Sequence, residues 1–192
     1  MHSLNPRVIH RDLKLENLLF FNGIIKIIDF GSSSEILDFR TTFIGTPTYL
    51  APEIIKGLDY TEKIDIWCLG IIFYELLHGY PPFNTTTKGF QAMAVLSKKI
   101  VKEDIKFEKD ISEDIQNVIR KLLNKNPKER PNTSEILEFS IFKRDSFRNS
   151  DNKMIRNATN WVDLSYQEKY DFFQSFKKNV FEYKGRKRKL KF

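Results

Sequence analysis

Residues 62–78 place Ile64, Ile66, Trp67, Leu69, Ile71, Ile72, Phe73, Leu76 and Leu77 around every side of a helical wheel. A helix that is apolar all round has no face to give to water, so the fold must surround it. Gly79 follows at once and Pro81 and Pro82 lie just beyond, which is the chemistry that stops a helix. This stretch therefore predicts a central helix wrapped by the rest of a globular domain. With 192 residues, the chain has length for one such domain and not for two.

Other elements can be read around that spine. Leu18–Phe21 and residues 24–28 are β-prone runs separated by Asn22-Gly23, the strongest short hairpin signal because both residues tolerate positive φ. The polar stretch 32–48 has little periodicity and reads as a loop. Ser112 opens an amphipathic helix with Ile115, Val118, Ile119, Leu122 and Leu123 at three- and four-residue spacing. Asn132 or Thr133 caps a short helix that ends near Phe139. Toward the end, Ser165 and Glu168 form a capping box ahead of Tyr166, Tyr170, Phe173 and Val180, which predicts a helix over 166–183. The fold class expected is mainly α with a small β-hairpin.

The net charge of +7 is unevenly spread. Residues 1–142 hold 18 Lys and Arg against 19 Asp and Glu, whereas residues 143–192 hold 14 against 6. Six of those cations fall within residues 184–192. The body is thus near neutral and the basicity belongs to a C-terminal extension, which argues against a nucleic-acid-binding domain. The run from Lys184 to Lys189 fits an anionic partner or a nuclear-localisation patch, and equally a solubilising end. No run approaches the roughly 18 apolar residues of a membrane span. His10 and Arg11 interrupt any secretory core near the start. Cys68 is the only cysteine, which excludes an internal disulfide and implies a reducing compartment, cytoplasmic or nuclear.

Three clusters near the N-terminus belong together: His10-Arg11-Asp12-Leu13-Lys14-Leu15-Glu16-Asn17, Asp29-Phe30-Gly31, and Gly45-Thr46-Pro47-Thr48-Tyr49-Leu50-Ala51-Pro52-Glu53. In this order the sequence resembles the eukaryotic protein kinase family, from about Arg7 to Phe142. Lys14, two residues after Asp12, resembles the serine/threonine branch, and the segment 40–45 is similar to the aurora and related basophilic groups. The resemblance implies phosphoryl transfer from Mg-ATP to protein hydroxyls, where catalysis is mostly positioning and charge placement. Asp12 is then the group that takes or orients the substrate proton, and Lys14 a cation for the γ-phosphate. Asn17 and Asp29 are the hard oxygen ligands for Mg²⁺. Leu19 is the apolar floor under the adenine, and Lys14, Glu16, Asn17, Leu19 and Asp29 together form the side that meets ATP. Thr46 is implied to hydrogen-bond Asp12 and Lys14. Thr42 is the implied regulatory phosphosite, paired with Arg11. Glu53 and Arg130 form a buried ion pair in the family, and Asp65 holds the backbone of the loop that carries Asp12. Glu16 and Glu75 match positions that meet arginines in basic protein substrates.

The resemblance also implies two units: a kinase C-terminal lobe over residues 1–142 and a basic extension over 143–192. Only nine residues precede His10, and no Gly-x-Gly-x-x-Gly loop or Val-Ala-x-Lys strand occurs. The expectation is a fragment that holds half of an ATP clamp and is marginally stable and inactive alone. Residues 1–9 are too short to replace the helix that covers the central helix in the family. The alternative is a lobe that binds partners without catalysis.

Overall fold

The computed structural model describes residues 1–21, 24–35, 47–107 and 111–142. The predicted helix 166–183, the basic extension, Thr42 and Thr46 lie outside them. In chain order the elements are β1 (Val8–Ile9), β2 (Leu18–Phe21), β3 (Ile24–Ile27), β4 (Ser34–Glu35), α1 (Pro52–Ile55), α2 (Lys63–His78), α3 (Phe90–Lys102), α4 (Glu113–Leu122) and α5 (Thr133–Leu137). Mostly helical structure with a small antiparallel hairpin agrees with the fold class read from the sequence.

Helix α2 is the spine. Trp67 and Ile71 are fully buried, and Ile64, Ile66, Ile72, Tyr74 and Leu77 are buried with them. It ends at Gly79, whose φ of 80° is the left-handed C-cap that a glycine adopts without strain. No residue of α2 is exposed. The expectation that it would leave apolar side chains in water is therefore corrected: Ile9 of β1 joins the core around α2, as do Phe83, Leu96, Ile100 and Ile119. A second cluster joins Ile66 of α2 to Val118 and Leu122 of α4 and Ile136 of α5.

Helix α4 follows Ser112, with Val118, Ile119 and Leu122 buried and Glu113 and Asp114 in its first turn. Helix α5 is held by a capping box: Asn132 Oδ1 accepts from Glu135 N at 2.9 Å, and Glu135 Oε2 accepts from Asn132 N at 2.7 Å. Strands β2 and β3 pair antiparallel from Leu18↔Ile27 to Phe21↔Ile24.

Two features depart from the sequence reading. The stretch 32–48 is not loop throughout, because β4 pairs antiparallel with β1 through Val8↔Glu35 and Ile9↔Ser34. Two-residue strands carry no periodicity to read. Helix α3 is an element that the sequence reading does not include; among its described side chains Leu96 and Ile100 are buried, and its entry at Gly89 makes no side-chain cap. Among the described residues no helix is long and apolar enough to cross a membrane.

Gly70 shows how closely α2 meets the α4 region. A Cβ at this position lies 2.7 Å from Leu123 Cγ, 2.8 Å from Leu123 Cδ2 and 2.9 Å from Leu122 Cβ. Alanine normally favours a helix over glycine by about 1 kcal/mol, but overpacking typically costs about 1–3 kcal/mol. Gly70→Ala is expected to lower the urea midpoint rather than raise it. A raised midpoint would show that the two elements can separate freely.

Candidate active site

The loop between β1 and β2 is shaped by its own backbone and by one buried carboxylate. Asp65, in the first turn of α2, is 2% exposed. Its Oδ2 accepts from His10 N at 2.8 Å and its Oδ1 from Arg11 N at 3.0 Å. His2 Nε2 reaches the same Oδ2 at 2.8 Å. Arg11 stands at φ 68°, a conformation that is costly for a non-glycine residue. The two amide bonds to Asp65 hold that turn in place.

His10 supports the loop from below. It is fully buried, with Nε2 3.0 Å from Ile28 O, Nδ1 3.4 Å from Asp12 N, and its ring centroid 5.0 Å from that of Phe30. Both hydrogen bonds are satisfied together when the proton sits on Nε2 and Nδ1 accepts. The imidazole thus ties the loop to the residue after β3.

Beyond this turn, Lys14 Nζ donates to Asp12 Oδ2 at 2.7 Å. Asn17 Nδ2 donates to Asp12 O at 2.7 Å and to Asp12 Oδ2 at 3.2 Å. Asn17 is buried at the end of a single 3₁₀ turn, Leu15–Asn17. With its amide nitrogen committed to Asp12, its Oδ1 takes no donor among the described residues and is available to a cation.

The hairpin returns the chain to this point. Ile28 N donates to Asn17 O at 2.9 Å, which extends the β2–β3 ladder by one step and sets Asp29 beside the loop. Asp29 is exposed at φ 61°, and its Oδ1 accepts from Gly31 N at 3.3 Å. Its other carboxylate oxygen takes no donor among the described residues. Leu19 is half-buried and Glu16 exposed. Among the described residues no three His, Cys, Asp or Glu side chains cluster to hold a metal. One amide oxygen and one carboxylate fit Mg²⁺, which commonly takes one or two protein oxygens and completes its shell with phosphates and water.

A second buried charge lies behind the loop. Arg130 Nη1 and Nη2 donate to Glu53 Oε1 and Oε2, each at 2.7 Å, and the residues are 1% and 3% exposed. Arg130 Nε donates to Asn124 O at 2.8 Å and Nη1 to Lys63 O at 2.9 Å. Lys63 Nζ donates to Arg130 O at 2.5 Å, closing the link to the start of α2. The guanidinium also lies 5.0 Å from the centre of the Trp67 ring. Nearer the loop, the Tyr49 hydroxyl donates to Glu75 Oε2. Burial pushes both groups up, the Tyr49 hydroxyl and the Glu75 carboxyl, and the Glu16 charge adds to each.

The model of the protein kinase domain family matches residues 1–142. This chain belongs to that family. It is 41% identical to Aurora kinase B of Danio rerio over 144 residues, covering 74% of this chain and 43% of that protein. It is 41% identical to Aurora kinase C of Mus musculus over 134 residues, 69% of this chain and 47% of that protein. Aurora kinase of Saccharomyces cerevisiae is 41% identical over 139 residues, 71% of this chain and 36% of that protein. The chain therefore spans less than half the length of these relatives.

Within the kinase fold, the sequence-predicted residues Asp12, Lys14 and Asn17 meet in one hydrogen-bonded group, with Asp29 brought alongside by the hairpin. Asp65 lies under the loop, and Glu53 meets Arg130. Sequence reasoning misses His10 as a strut, His2 as a partner of Asp65, and Tyr49 as the donor to Glu75. Nothing local in the sequence points from His10 to Ile28.

Two outcomes follow from the buried charges. Arg130→Met leaves Glu53 buried without its partner and is expected to cost about 3–5 kcal/mol in denaturant unfolding; a loss below about 1 kcal/mol would contradict the buried pair. For Glu75, a folded carboxyl raised above its ordinary 4.5 binds a proton that the unfolded chain releases. Its contribution to stability is present below that value and is lost as pH rises through the folded pKa. The stability of Glu75→Gln relative to wild type is therefore expected to increase as pH rises above about 4.5 in urea titrations, and a flat difference would show that Glu75 carries no such shift.

Proposed function

We propose that residues 1–142 supply the substrate and metal side of a serine/threonine protein kinase, which transfers the γ-phosphoryl of Mg-ATP to protein hydroxyls. The observation that carries this reading is the Asp12–Lys14–Asn17 group, with the free oxygens of Asn17 and Asp29 beside it. Asp12 orients the attacking hydroxyl and takes its proton, the role of a positioned base. Lys14, already 2.7 Å from Asp12, places a cation where the transferred group passes. Asn17 and Asp29 hold Mg²⁺, which neutralises phosphate charge as it develops.

Leu19 lies on the nucleotide side of the hairpin, and the ATP-clamping lobe closes over Ile25, Ile27 and Phe30, which are 61%, 37% and 49% exposed. Glu16 and Glu75 favour substrates with basic residues near the target hydroxyl. Thr46 shapes the same groove, and phosphate on Thr42 pairs with Arg11.

The test grafts residues 1–142 in place of the matching stretch of zebrafish Aurora kinase B and follows phosphate transfer to a basic peptide. The graft is expected to turn over, and Asp12→Asn in it to lower kcat by about 10²-fold or more with ATP binding kept. A folded graft whose turnover ignores Asp12→Asn would overturn the assignment. A folded, partner-binding graft with no turnover at all would favour a non-catalytic lobe.

A further inference from the structure

The cover over α2 is thinnest along one line. Of its apolar residues, Leu69, Phe73 and Leu76 are half-buried and the others buried. Their four- and three-residue spacing sets them on one side of the helix. Leu69 and Phe73 pack at the edge of the second core cluster, and so do the half-buried Phe139 and Ile141. Phe142 extends this surface: its ring centroid lies 6.0 Å from that of Phe73, yet the residue is 38% exposed. The result is an apolar face that α4 and α5 border without closing.

The chain leaves the described fold from this same face. Phe142 N donates to Phe139 O at 2.9 Å, and that turn holds Phe142 against Phe73. In sequence there follow residues 143–164 and then the stretch 165–183, opened by the Ser165–Glu168 capping box. Tyr166, Tyr170, Phe173, Phe176, Val180 and Tyr183 recur there at three- and four-residue intervals. On the helix that the sequence predicts, this spacing gathers them into one apolar stripe, with Gln167, Asp171, Ser175 and Lys178 on the opposite side.

We propose that residues 165–183 dock their apolar stripe on the Leu69–Phe73–Phe142 face and thicken the casing of α2. The length of chain allows it. Residues 143–164 span up to about 75 Å when extended, and a helix over 165–183 is about 28 Å long. Tethering selects this occupant over a second copy of the chain. A segment joined through such a connector meets the face at an effective concentration on the order of 1 mM, well above that of another molecule in dilute solution. The tyrosines suit a face that is apolar in the middle and wet at its rim, because each carries a hydroxyl on an apolar ring. None of the residues assigned to phosphoryl transfer takes part.

The experiment places the photoreactive analogue p-benzoylphenylalanine at Phe142 of the full 192-residue chain, irradiates it, and maps the crosslinked peptides by mass spectrometry. The exchange keeps an aromatic ring at a partly exposed position, and Ile141 takes the same analogue as a second site. Crosslinks are expected on residues 165–183 of the same chain, in a product that runs as a monomer. Phe173→Asp together with Phe176→Asp sets two charges in the stripe and is expected to cut that yield by about tenfold or more. A yield that ignores the two aspartates shows chance collisions of a tethered tail and overturns the proposal. Crosslinks to a second chain, which assign the face to a dimer, overturn it as well, and so does a monomeric product with no crosslink in 165–183.

Discussion

One carboxylate at the head of α2 organises the loop on which everything functional depends. Asp65 is almost wholly buried and spends its oxygens on the amides of His10 and Arg11 and on the His2 ring. A buried carboxylate without donors is expensive, so the loop is the partner that makes the position tolerable. In return, hydrogen bonds to a charged group, worth about 1.5–3 kcal/mol each, hold Arg11 in its left-handed conformation. That turn swings Asp12 toward Lys14 and Asn17 rather than along the strand direction of β1. The rigidity of α2, enclosed on all sides, is what makes Asp65 a fixed reference point.

The second buried charge anchors the far side of the same helix. Arg130 joins Glu53 of α1 to the Lys63 carbonyl at the start of α2, and it stacks over Trp67. Such a pair adds little net stability compared with an apolar replacement, because desolvating two ions consumes most of their attraction. Its geometric effect is larger. Bidentate bonds fix α1 and the turn before α5 relative to α2, and α1 immediately follows the segment that carries Tyr49. Tyr49 in turn reaches Glu75, further along α2. The loop with Asp12 and the segment with Tyr49 are thus both referenced to one helix.

Features with a local signature were legible in the sequence. All-round apolar spacing marks α2, Asn-Gly marks the hairpin, and the pair Asn132-Thr133 marks the start of α5. The hairpin signal also accounts for Asp29 lying beside Asn17, since a two-strand return has to bring its ends together. The parts that could not be read depend on distant partners. His10 meets Ile28, His2 meets Asp65 and Lys125 meets Ile100, and no spacing rule links those positions. Helix α3 lies outside the sequence reading and opens at Gly89 with no side-chain cap to mark it, and β1 with β4 escape notice because two residues make no pattern. Packing decides these elements, and packing is a property of the assembled fold.

The dependence of the loop on Asp65 can be measured amide by amide. In native-state hydrogen exchange, His10 and Arg11 are expected to be protected in the wild-type chain. Asp65→Asn is expected to speed their exchange by about 10–100-fold, the equivalent of one charged hydrogen bond, while amides in the middle of α2 and α4 keep their protection. If His10 and Arg11 exchange at the same rate in both proteins, the loop is held by something other than Asp65, and this carboxylate is not the group that organises the site.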